Sequence, residues 1–302
     1  MDRIIEIAQD NRHLAVNRGF MTVSEDKTEI GRVPLDQIGA VIANAHGITY
    51  SNNLFVKLSE YNVPVVICAQ NHLPVSIVLP VEGNYLQGDI INGQAQVKKT
   101  TLNRWWRDIV HAKIKQQAAV LETFGLNTAP LDYMAAHLKP ADSDNQEGQA
   151  ARYYFQELFG KNFRRDRNAD GINALLNYGY TVLRASVIRA IIAAGLHPSL
   201  GIHHCNQYNA FRLADDLMEP FRPLIDFCVK RLASDGKTEI DTETKKRLVA
   251  VLSCNIPTKN GAVEISYLIM RLATSYAKCV RTKENITPDL PPPLTGMALW
   301  SL

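Results

Sequence analysis

The apolar residues of this chain change their period part-way along it, and that change restricts the fold more than any other feature. Up to about Val81 they fall in short runs separated by turn residues: RIIEIA, HLAVN, GFMTVS, EIGRVP, AVIANA, PVVICA and PVSIVL, all read as strands. SNNLFVKLSEYN interrupts them with a Ser or Asn cap and a helical spacing. EGNYLQGDIINGQ follows as a turn-rich connector. From about Ala95 the spacing is helical, and TLNRWWRDIVHAKIKQQAAVLETFG sets Trp105, Ile109 and Ala112 on one face. The expectation is an α+β protein: a small β-rich N-terminal domain (1–81), a linker (82–94), a larger all-α domain (95–286) and a proline-rich tail (287–302). A chain of 302 residues with 46% hydrophobic content is large enough to bury such cores.

Further helices are expected around Glu147, over Ile172 to Ala194, and in LMEPFRPLIDFCVKRL, TETKKRLVAVLS and AVEISYLIMRLATSYAKCV. The segment after Ile172 is long and apolar, but Asn173, Asn177, Tyr178, Arg184 and Arg189 interrupt it, so it reads as a buried central helix rather than a membrane span. The tail ITPDLPPPLTGMALWSL either docks through Leu299 and Trp300 or stays loose. The five cysteines have no regular spacing and MDRIIEIAQD is not a signal peptide, which together suggest a reducing cytoplasm.

Chemistry concentrates in LHPSLGIHHCNQYNAFRLADDLMEPFRP, residues 196–223, where two adjacent histidines precede a carboxylate-rich segment. In a continuous helix, Asp216 and Glu219 would share a face. At roughly 5.5 Å and an effective dielectric of about 20 they would repel by about 3 kcal/mol, which calls for a cation, an arginine or a proton. An ordinary acidic face balanced by Arg212 or Arg222 accounts for the same residues. His203 and His204 follow the helix-breaking Gly195, Pro198 and Gly201, and serve either as metal ligands or as capping and packing residues. Zinc is disfavoured, because Cys205 has no second cysteine at C-x-x-C spacing. Upstream, Glu147 is either a ligand or, with Asp144 three residues before it, part of a capping box.

In combination these pieces resemble the CRISPR-associated spacer-acquisition integrases, protein one of that nomenclature, and within them the compact type II branch, subtype C by its compactness. The resemblance rests on EGQAARYYF (147–155), NALLNYGYTVLRASVIRAIIAAGLHPSLGIHH (173–204) and LADDLMEPFRP (213–223), in that order behind a β-rich front. It implies Glu147, His204 and Glu219 as metal ligands, with Asp216 as a further acidic residue of the site. His203 stands where the family has an apolar residue, and Glu219 where many relatives have Asp.

The implied chemistry is metal-dependent DNA strand transfer, with endonuclease activity as its relative. A 3′ hydroxyl of incoming double-stranded DNA attacks a phosphodiester at a CRISPR repeat boundary, with Mg2+ or Mn2+ as cofactor. The net charge of +3 does not by itself point to nucleic acid, but KNFRRDR at 161–167 is a basic cluster. Arg165, Arg167 and Arg222 are candidate phosphate contacts, and Tyr178 and Tyr180 are either linings of a DNA path or core residues of a buried helix. The implied partners are a second copy joined through the β-rich domain, CRISPR-associated protein two and, in type II systems, the effector nuclease; no membrane is involved. Other readings are a branched-DNA repair nuclease, a non-catalytic DNA-binding scaffold and an unrelated small-molecule hydrolase.

Overall fold

The computed structural model describes residues 3–69, 74–81, 84–258, 261–282 and 286–294. Its first part contains β1 (Arg3–Ile7), β2 (His13–Asn17), β3 (Phe20–Glu25), β4 (Thr28–Pro34), β5 (Ile38–Ala43), β6 (Thr49–Tyr50), α1 (Asn52–Glu60), β7 (Val65–Cys68) and β8 (Pro74–Val78). They form two four-stranded sheets, ordered β1-β5-β7-β8 and β4-β3-β2-β6. In the first sheet β5 pairs parallel with both β1 and β7, whereas β8 runs antiparallel to β7.

Strand β5, IGAVIA, is buried at every position, as a parallel strand covered on both faces must be. Its alternate side chains serve different cores. Val41 joins Leu14, Met21, Leu54 and Leu58 between the sheets and α1. Ala40 and Ile42 face the other way, into the core made with the helices.

The helical part comprises α2 (Gln87–Gln96), α3 (Lys99–Thr123), α4 (Ala129–Ala136), α5 (Gln146–Phe159), α6 (Ile172–Ala193), α7 (Arg212–Leu217), α8 (Arg222–Ser234) and α9 (Thr242–Ala250). A hairpin of β9 (Asn255–Thr258) and β10 (Gly261–Glu264) then leads into α10 (Ile265–Thr282). Helix α6 is buried along most of its length and packs on α7, α8, α9, α10 and β5, which makes it the axis of this part. Among the described residues no helix is long and apolar enough to cross a membrane.

Two sequence expectations are corrected here. Much of the expected connector is helix, because α2 occupies Gln87–Gln96. Its Gly93 lies so close to α10 that an added Cβ would run into the Val280 carbonyl oxygen. The segment beginning AVEISYL does not start as helix either: Ala262 to Glu264 pair with β9, and α10 begins at Ile265. The proposed docking residues Leu299 and Trp300 lie outside the described residues.

A polar clasp joins the two parts. Glu6 on β1 accepts hydrogen bonds from Asn44 Nδ2 (2.6 Å), Tyr178 Oη (2.8 Å) and Lys245 Nζ (2.9 Å), and so ties the first sheet to α6 and α9.

Candidate functional site

The helix carrying Glu147 does not begin with an Asp144–Glu147 capping box, one of the two roles the spacing left open for Glu147. Asp142 accepts the N–H groups of Gln146 (2.8 Å) and Glu147 (2.9 Å), Asn145 turns the chain at a φ of 53°, and Asp144 pairs with Lys139 at 2.7 Å. With the first-turn donors met by Asp142, the Glu147 side chain is released from backbone duty. It reaches α3 instead, where its Oε1 lies 2.6 Å from Lys113 Nζ.

Asp216 and Glu219 do not share a helix face either. Helix α7 ends at Leu217, and Pro220, which has no N–H to donate, sits in a 3-10 turn over Glu219–Phe221. The break turns the two carboxylates toward different partners. Glu219, 4% exposed, meets Lys113 through Oε2 at 2.6 Å and Arg222 Nε through Oε1 at 2.9 Å. Lys113 thus lies between Glu147 and Glu219, with equal distances to each.

Asp216 is fully buried and organises the histidine loop. Its Oδ2 accepts the N–H groups of Ile202 (2.6 Å) and His203 (3.1 Å), while Oδ1 accepts from the His204 backbone (3.3 Å) and lies 2.6 Å from His204 Nδ1. An ionised carboxylate only accepts, so the ring proton is on Nδ1 and Nε2 presents its lone pair when the imidazole is neutral. Gly201 leaves room for this: a Cβ there would lie 2.9 Å from Asp216 Oδ2 and 2.8 Å from Arg212 Cβ. The adjacent histidines have different surroundings. His203 stacks flat on Trp106 of α3 at 4.3 Å and 3°, whereas His204 meets the same indole edge-on at 5.7 Å.

The electrostatics follow from these contacts. The hydrogen bond to Asp216 raises the His204 pKa above the ordinary imidazole value, against the opposing effect of burial, and the Asp216, Glu219 and Asp215 charges add to the rise. Burial pushes His203 down. Burial opposes the Glu219 carboxylate, yet Arg222 and Lys113 together hold it below the usual range. Burial likewise opposes the Lys113 ammonium, and Glu219 and Glu147 outweigh it, so the amine is held in its charged form.

Four of the residues expected to meet DNA have other occupations. Tyr178 is buried and donates to Glu6, and Tyr180 is buried and donates to Asp226 at 2.5 Å, so neither is exposed along a DNA path. Arg165 is held by Asn173 (2.9 Å) and Asn177 (2.6 Å) over the Tyr180 ring. Arg222 neutralises Glu219 and covers the same ring, the role that the plain acidic-face reading gave it. Arg167 is exposed and retains its reach toward solvent.

Lys113 and Trp106 were absent from the sequence-based site. The available signal was the placement of Lys113 one turn beyond Ile109 and beside Val110, on the buried face of α3 where a lysine is out of place. As the side chains stand, no three His, Cys, Asp or Glu groups converge into a coordination shell among the described residues, and Lys113 lies between two of the candidates. The donor set nonetheless suits a hard divalent cation: two glutamate carboxyl groups facing an ammonium, an imidazole with Nε2 presented, and a buried carboxylate behind that imidazole. The ammonium between the glutamates marks where the protein already holds positive charge.

Comparison with known proteins places the chain in a family. The family model described as CRISPR associated protein Cas1 matches residues 5–253. The chain belongs to the Cas1 family. It is 32% identical over 289 residues to the CRISPR-associated endonuclease Cas1 of Neisseria meningitidis serogroup C (strain 8013), covering 94% of each chain. Among solved structures, a casposase bound to integration product superposes with a TM-score of 0.80 at 20% identity, over 95% of this chain and 92% of that one. A chain of a Cas6-RT-Cas1–Cas2 complex gives a TM-score of 0.77 at 18% identity, over 97% of this chain and 36% of that one. At those identities the likeness concerns the Cas1 fold, here a strand-rich N-terminal region followed by helices.

Proposed function

We propose that this Cas1-family protein inserts DNA into a CRISPR array by direct transesterification. A 3′ hydroxyl of the incoming duplex attacks a repeat-boundary phosphodiester: a new P–O bond forms to the attacking oxygen and the original P–O3′ bond breaks. The attacking hydroxyl loses its proton, the departing 3′ oxygen gains one, and no covalent link to the protein is needed. The observation that carries this reading is Glu147 and Glu219, from separate elements, held on either side of Lys113, with the Asp216-bound His204 near enough to Glu219 for their charges to act on each other. The resemblance in fold to a casposase bound to integration product supports it.

Glu147, Glu219 and His204 would hold Mg2+ or Mn2+, which would screen the phosphoryl oxygens and acidify the attacking hydroxyl. Asp216 fixes the His204 tautomer and the loop that carries it. Arg222 keeps Glu219 ionised from beneath. Exposed Arg167 is the phosphate contact retained from the basic cluster at 161–167. In the same reading, residues 1–81 pair with a second copy, the assembly includes CRISPR-associated protein two, and a type II effector nuclease contributes to spacer choice. The Cas1–Cas2 arrangement named in the structural neighbour supports the second of these.

The test is a strand-transfer assay on branched DNA with a free 3′ hydroxyl, with manganese or magnesium, against a blocked 3′ end, Glu147→Ala and EDTA. Joined and released strands that depend on metal, hydroxyl and Glu147 are expected. Cutting regardless of the hydroxyl would favour a branched-DNA nuclease, and binding without product a scaffold.

A further inference from the structure

Lys113 belongs to none of the residues through which the family resemblance was read, yet it is at the middle of the charged centre. It projects from the buried face of α3, is 8% exposed, and is 2.6 Å from Glu147 Oε1 and 2.6 Å from Glu219 Oε2. With Arg222 on the other oxygen of Glu219, the two glutamates already have two cations set against them. A divalent ion approaching the two glutamates meets repulsion from Lys113 at contact range, and only departure of the ammonium returns the carboxylate oxygens. A lysine stem has four rotatable carbons, unlike the planar, pinned Arg222, and it is the group that can leave without a change of backbone.

We propose that Lys113 is an internal counter-cation that holds Glu147 and Glu219 together before the divalent ion arrives and is displaced by it. Lys113 is therefore a positioning residue: it keeps the two carboxylates aimed at one point, at the expense of metal affinity. This inference rests on the divalent-cation reading above.

The test is Mn2+ binding to the full chain, followed by electron paramagnetic resonance of the free ion and by thermal melts with and without Mn2+. The variants are Lys113→Met, Lys113→Arg and Glu219→Gln. Lys113→Met removes the competing charge at similar length. It should bind Mn2+ at least tenfold more tightly than the parent and show a larger metal-induced rise in Tm. Lys113→Arg keeps the charge and should bind no more tightly than the parent, which preserves the test if the Met variant folds poorly. Glu219→Gln should lose binding. If parent and Lys113→Met bind Mn2+ equally, or the Met variant binds more weakly, the displacement proposal is overturned while the metal site stands. If neither parent nor variants bind, the metal site itself fails and the proposal with it.

Discussion

At the scale of single residues, the charged centre divides its carboxylates by burial, and the consequences of removing them differ. Loss of Glu219, itself buried, leaves buried Lys113 and half-buried Arg222 without their shared acceptor, which costs about 3–5 kcal/mol. Glu147 is 27% exposed and its removal still leaves Lys113 paired with Glu219, so Glu147→Ala should change stability by about 1 kcal/mol or less. Both variants should lose strand transfer; denaturant unfolding separates them, and equal stabilities would refute the buried-cation account. His204 gives a pH signature. Its folded pKa is raised, so Nε2 becomes available only as pH climbs past the ordinary imidazole value, and Mn2+ affinity should rise through that higher midpoint. In Asp216→Asn the acceptor loses its charge and the midpoint should move down; a midpoint that stays in place would remove Asp216 from the tautomer-fixing role.

The residue-level reading from sequence was uneven for a physical reason. Glu147, His204 and Glu219 lie in motifs whose order is visible along the chain, whereas Lys113 joins them only because α3 passes beneath α5 and the turn after α7. Tyr178 and Tyr180 suit either a DNA groove or a core, and the partners that decide for the core, Glu6 and Asp226, lie far away in sequence.

At the scale of elements, the strands and long helices were legible because their apolar periods are long enough to read, and short or glycine-bearing elements were not. The turn-rich EGNYLQGDIINGQ reads as a connector, but most of it enters α2, where Gly93 lies against the backbone of α10. Gly93→Ala should therefore destabilise the protein by about 1–3 kcal/mol, the cost of overpacking, despite alanine's better helix propensity. A neutral or stabilising result by thermal melt would show that the two helices separate cheaply. β10 was read as helix because its apolar residues run straight into α10, and pairing with β9 overrides that pattern.

At the scale of the whole molecule, stability should carry the mark of one buried acid. Burial raises the Asp226 pKa to about 7, with Tyr180 donating to it and Arg222 nearby pulling the other way. The folded protein therefore keeps a proton that the unfolded chain releases near pH 4. Between about pH 4 and about pH 7 the folded state binds more protons, so this group makes stability fall as pH rises, by up to about 1.4 kcal/mol per unit. Asp226→Asn should flatten that part of the stability profile in denaturant melts; an unchanged slope would mean that the carboxyl is ionised throughout. The fold class was readable at this scale, but the shared sheet was not. Nothing in IGAVIA indicates that one of its faces lies against α1 and the other against α6.

The stacking of Trp106 on His203 also equips the loop for optical observation. Imidazole in face contact with indole quenches its emission, most strongly when protonated, and His203 lies directly before His204 in the chain. Any event that pulls the loop off α3 should brighten the intrinsic fluorescence of Trp106. Trp105, on the same helix, packs edge-on against Tyr276 and provides a steady background. Stopped-flow emission could then time the arrival of ions or DNA without a label being attached.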